Sequence, residues 1–76
     1  MKFSSEIVVE GDADNIIRLF EPEEKKFSNN RAQYTIKKEG FKVKFIVNAD
    51  DGTALRAVLN SIVKNLVVYE KVKKNG

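Results

Sequence analysis

The sequence predicts an α+β fold: a two-layer β-α-β-β-α domain in which two helices cover one face of a three-stranded antiparallel sheet. Three observations carry this expectation. Residues 41–49, "FKVKFIVNA", alternate apolar and polar with one exception, Ile46, which is the period of a half-buried strand. Glu39-Gly40 separates this run from a second alternating run, "RAQYTIKK", so the two read as a hairpin. Residues 53–66, "TALRAVLNSIVKNL", repeat apolar side chains at steps of three and four, the period of a helix.

The elements follow in order. "KFSSEIVVE", residues 2–10, is a first strand with Phe3, Ser5, Ile7 and Val9 on one face. Gly11 breaks it, and Asp12 or Asp14 is placed to cap a helix through the N–H groups of its first turn. In "DADNIIRLF", Ala13, Ile16, Ile17 and Phe20 share one helical face, and Pro22 stops the helix by biasing Glu21 away from helical geometry. "EPEEKKFSNN" is a polar connector ending in the turn formers Ser28, Asn29 and Asn30. The second strand turns Ala32, Tyr34 and Ile36 inward and Arg31, Gln33, Thr35 and Lys37 outward. In the third, Phe41, Val43, Phe45 and Val47 point inward and Lys42, Lys44, Ile46 and Asn48 outward. Asp50, Asp51 or Thr53 caps the last helix, which runs to about Lys73.

At 76 residues the chain reads as one domain, 1–76. A chain this short buries only about 60% of the surface its unfolded form exposes, so it commonly relies on a disulfide, a metal or a partner. It has no Cys and no His, which excludes disulfides, thiolate metal sites and His-based zinc sites. Association with another subunit is the device left. The missing cysteines and the absence of a signal-like or membrane-length apolar run point to a cytoplasmic protein.

Catalysis is not expected. The common general bases and activated nucleophiles are absent with His and Cys. "DADN" and Asp50-Asp51 do not continue as a calcium loop, and helix capping accounts for them. The four glycines are dispersed and build no phosphate loop. No catalytic, cofactor or metal residue is therefore assigned.

Charge is distributed unevenly. Residues 1–24 carry two cations against seven carboxylates, whereas residues 25–76 carry twelve cations against Glu39, Asp50, Asp51 and Glu70. A basic two-thirds points to a polyanion, RNA in the cytoplasm, against the plainer reading of a solvated lysine surface. Strand alternation brings Arg31, Lys37, Lys42 and Lys44 to one open sheet face, which makes them the candidate phosphate contacts. With no outward aromatic for base stacking and no GXXG clamp, such contacts are auxiliary and do not read sequence.

The last helix has more apolar surface than one sheet covers. Leu55, Val58, Leu59, Ile62, Leu66 and Tyr69 form the arc expected to face the sheet. Val63 and Val67 lie beyond one edge of that arc, Ala54, Ala57 and Val68 on the far side, and Arg56, Asn60 and Lys64 form a polar row. Arg56, Asn60, Val63, Lys64 and Val67 are accordingly the candidate partner-binding residues.

The block "NADDGTALRAVLNSIVKNLVVYEKV", Asn48 to Val72, resembles the Pcc family, the small dimerisation subunit of the KEOPS (EKC) complex. The matching features are a strand ending in an Ala-x-Asp-like turn, then "ALRA" (Ala54 to Ala57) and "LNS" (Leu59 to Ser61) on a long C-terminal helix. Leu19, Glu21, Pro22 and Glu23 match the corner after the first helix. The resemblance implies a non-catalytic role in making threonylcarbamoyladenosine beside the anticodon of tRNA. In that family a homodimer bridges two large transferase subunits, whose N-terminal helices pack on its own, and through them the kinase-like and tRNA-tail-binding subunits. A divergent paralogue of the same family is an alternative within it. Outside it stands a small free-standing KH-like RNA-binding protein, which needs a stacking or clamping motif where the assembly subunit needs a second apolar surface.

Overall fold

The computed structural model describes residues 1–21, 26–27 and 31–75, with side chains at all of these except 26, 27, 74 and 75. The elements are β1 (Phe3–Glu10), α1 (Ala13–Phe20), β2 (Lys26–Phe27), β3 (Ala32–Glu39), β4 (Lys42–Ala49) and α2 (Gly52–Asn75). The α+β class and the β-α-β-β-α order hold, with a sheet of three long antiparallel strands. The two-residue β2 is an addition: it arises inside the expected connector and pairs Lys26 with Gln33 and Phe27 with Ala32. Sheet order is β1-β4-β3-β2. Pro22 and the turn formers Ser28, Asn29 and Asn30 lie outside the described residues.

Register follows from the alternation. Tyr34 pairs with Val47 and Ile36 with Phe45, while Ile7 pairs with Phe45 from the other side. The inward rows of β1, β4 and β3 thus align under the helices. At the centre Phe20 of α1 meets Phe45 and Tyr34, with ring centroids 4.8 and 6.3 Å away and near-perpendicular planes. Such edge-to-face contacts add about 0.5–1.5 kcal/mol each beyond the area they bury. Phe20, Val43, Phe45, Val47 and Val58 are fully buried, which locks both helices onto one face.

Several expectations are corrected in detail. Phe41, expected inward, is 66% exposed. Glu39 pairs with Lys42, so the two-residue loop is Gly40-Phe41, one residue later than the sequence reading. Gly40 takes φ 64° at the first loop position, where such hairpins require glycine. Ala54, expected on the far side of α2, is buried; the most buried row is Ala54, Val58 and Ile62, while Leu55, Leu59, Leu66 and Tyr69 are half-buried around it. Small residues at Ala32, Ala49 and Ala54 let the start of α2 settle close to the sheet.

Asp12 stands at the N-cap position of α1 but its carboxylate caps nothing, because its backbone is left-handed (φ 51°, ψ 32°). Glu21 stays right-handed helical (φ −56°, ψ −49°), so the helix ends without the extended residue the following proline favours. The cap of α2 is Asp51, one of its three candidates: its Oδ1 accepts the Ala54 N–H at 2.8 Å.

Candidate functional site: the exposed face of α2 and its groove

Helix α2 has 24 residues and so runs about 36 Å, against about 27 Å for an eight-residue strand. Its second half therefore passes the end of the sheet beside the Gly11-Asp12 turn. There the helix is held by Asp12, whose Oδ2 accepts a hydrogen bond from the Tyr69 hydroxyl at 3.2 Å and an ion pair from Lys73. The left-handed backbone at Asp12 turns its carboxylate toward α2 and away from its own helix.

Between this tether and β1 lies an apolar groove of about 610 Å³, with Val9, Ile16, Val63, Leu66, Val67 and Tyr69 on its walls. Val63 and Val67 are 48% and 42% exposed. A pair of valines one helical turn apart, open to solvent and continuous with a buried isoleucine, is surface that a second chain can cover. Arg56, Asn60 and Lys64 are also exposed and do not line the groove; Arg56 and Asn60 continue the face of Val63 and Val67 two turns earlier along α2. The five candidate partner residues thus divide into an apolar pair in the groove and a polar row beside it. Arg56 and Lys64 make no ion pair among the described residues. Val9, Ile16 and Asp12 were missed as groove residues, since no local pattern shows that the end of β1 meets the end of α2.

The other candidate surface is the outer sheet face. Arg31 lies 3.4 Å from Asp51, Lys42 3.7 Å from Glu10, and Lys44 3.6 Å from Glu6 and 3.4 Å from Glu39. The carboxylates of Glu39 and then Glu6 hold the Lys44 ammonium above its usual pKa. Of the four candidate phosphate contacts, Lys37 alone has no ion-pair partner among the described residues. Lys37 faces Lys44 directly across the β3–β4 ladder, a repulsive pairing that the two flanking glutamates offset. Strand alternation found the four cations, but the glutamates that neutralise them come mainly from β1, which only the register brings alongside.

Among the described residues no group of Asp and Glu is arranged to hold a metal ion. Among the described residues no helix is long and apolar enough to cross a membrane.

The family described as "Transcription factor Pcc1" matches residues 2–74. The chain belongs to the Pcc1 family. This is the family of a non-catalytic KEOPS subunit, and it sets the chain in a multi-subunit complex of tRNA modification. The Pcc1 match spans both the groove and the sheet face, and so singles out neither. No curated protein and no solved structure matches the chain.

Proposed function

We propose that the chain is the assembly subunit of a cytoplasmic KEOPS complex, forming a homodimer that bridges two large transferase subunits and, through them, the kinase-like and tRNA-tail-binding subunits. The observation that carries this reading is the α2 groove. Val63 and Val67 are apolar, solvent-exposed and outside the core, and their spacing fits an apolar helix laid along α2. Arg56, Asn60 and Lys64 then form the polar margin of that contact.

The homodimer is supported by a different feature. β1 is an edge strand of eight residues with no proline or glycine inside it, while at the opposite edge the two-residue β2 covers only Ala32 and Gln33 of β3. An open edge of this length invites pairing, and a second copy related by a two-fold axis pairs it antiparallel. Auxiliary phosphate contact from Arg31, Lys37, Lys42 and Lys44 belongs to the reading as its minor part, with Lys37 best placed because its charge is uncompensated.

Capture of the purified transferase subunit tests the groove. Val63→Asp and Val67→Asp are expected to remain folded and to lose at least about tenfold in affinity, since an unpaired charge buried at an interface costs more than 1.4 kcal/mol. Wild-type capture by both variants removes the assembly role from this face. Sedimentation equilibrium tests the dimer, with twice the monomer mass expected at micromolar protein.

A further inference from the structure

We propose that a second, polar recess on the helix side of the β3–β4 hairpin takes a single unstacked nucleotide of RNA, with Phe41 as the stacking face and Arg18 as the phosphate contact. The recess measures about 490 Å³ and lies between the first turns of α1 and the hairpin loop, lined among others by Asp14, Asn15, Arg18, Lys38, Gly40 and Phe41. It takes its RNA ligand from the reading of the chain as a subunit of a tRNA-modifying complex. It is independent of what fills the α2 groove.

The argument starts with an aromatic ring in an unusual place. Phe41 occupies the second position of a two-residue hairpin loop, where polar residues are usual, and it is 66% exposed. It is the most exposed aromatic ring among the described side chains. Nothing lies within 4 Å of where a side chain at Gly40 would project, so the space beside the loop is open.

The groups around the ring are charged or amide-bearing. Arg18 is exposed at the end of α1 and makes no ion pair among the described residues. Lys38 is engaged, donating to Asp14 Oδ1 at 2.6 Å. That bond keeps the Asp14 carboxyl below its ordinary pKa and ionised, a hydrogen-bond acceptor at neutral pH. Asn15 adds an exposed amide that both donates and accepts. The recess thus offers a π face, one guanidinium that makes no ion pair though its charge reaches Asp14, and two groups suited to the polar edge of a base.

An apolar protein segment fits this site poorly. It would cover Phe41 but desolvate Arg18 and the Asp14–Lys38 pair without partners. The α2 groove is the reverse case, with an apolar floor and walls. A nucleotide satisfies the recess and gains little from the groove.

The test is a nuclear magnetic resonance titration of the full chain, ¹⁵N-labelled, with single-stranded hexaadenylate at low salt. The amides of residues 40–42 and the Arg18 side-chain N–H are expected to shift and saturate together. Phe41→Ala is expected to weaken binding about fivefold or more, the loss of one stacked base, while Phe41→Trp preserves it. Arg18→Gln is expected to weaken binding and flatten its salt dependence by about one phosphate contact. Phe41 is exposed, so its removal leaves the core intact, and the unperturbed spectrum verifies this. Equal binding by wild type and Phe41→Ala overturns the proposal. So does a titration that moves Lys37 and Lys44 on the sheet face and leaves residues 40–42 still. If the RNA moves neither while the transferase subunit shifts Phe41, the recess is a protein contact and the nucleotide site is wrong. Capture through Val63 and Val67 is scored separately, so failure here leaves the assembly reading standing.

Discussion

Helix α2 and the outer face of the sheet both meet solvent along their whole length, and they meet it with different chemistry. On α2 the exposed valines Val63 and Val67 stand beside cations, Arg56 and Lys64, that have no carboxylate partner among the described residues. On the sheet Glu6, Glu10 and Glu39 lie within 4 Å of Lys42 or Lys44. Lys37 aside, the sheet face has settled its charges internally and asks little of a partner. The α2 face has left both its apolar surface and its charges unsettled. A cluster of cations in the sequence is therefore a weak guide to a polyanion site until the register shows what lies opposite.

The largest expected effect separates α2's two sides. Ile62 is 1% exposed and Val67 42%, five residues along the same helix. Ile62→Ala is expected to cost about 2–5 kcal/mol, the range for emptying a packed site. Val67→Ala should stay within about 0.5 kcal/mol, as for a surface change. Urea unfolding followed by circular dichroism measures both. If the two costs are alike, the distinction between core row and docking row fails.

That distinction was partly legible beforehand. Period-two and helical spacing located both helices and the three long strands, because each long element repeats its own period. Val63 and Val67 stood out since their spacing put them beyond the arc a sheet can cover. Ala54 was misplaced because an alanine has no strong facial preference, and only the facing Ala32 and Ala49 make its burial favourable. Phe41 was misplaced because alternation does not say where a strand yields to its loop. The groove itself was illegible: it needs the end of β1 and the end of α2 together, 57 residues apart at Asp12 and Tyr69.

Two anchors of α2 sharpen the comparison at a smaller scale. Asp51 caps the helix and also lies beside Arg31, so Asp51→Ala is expected to cost about 0.5–2 kcal/mol of global stability. Asp12 holds the other end beyond the sheet. Asp12→Asn keeps a residue that tolerates the left-handed backbone but removes the charge facing Lys73. Its effect is expected to be local: faster amide hydrogen exchange over residues 66–73, with global stability nearly unchanged and weaker capture through the groove. Unchanged exchange there would show that core packing alone positions the groove wall.

The smallest effect is a test of the sheet's charge lattice through pH. Glu39 and Glu6 raise the Lys44 pKa in the folded chain above the ordinary 10.5, because both carboxylates favour the charged ammonium. A raised lysine pKa means the folded state holds its proton more tightly than the unfolded state. The resulting stabilisation is fully present below about pH 10.5, the unfolded value, and is lost as pH rises through the higher folded one. The Lys44 side chain is 28% exposed and its glutamates 53% and 55%, so water reaches both pairs and the effect is small and screened by salt. The measurement is the stability difference between wild type and Lys44→Gln across the alkaline range, in which the titration of the other lysines cancels. Wild type should hold a modest advantage near neutral pH that shrinks above pH 10.5 and also shrinks in molar salt. A difference independent of both pH and salt would mean that Lys44 acts through the packing of its aliphatic stem, and the outer face would then no longer count as a charge-settled surface.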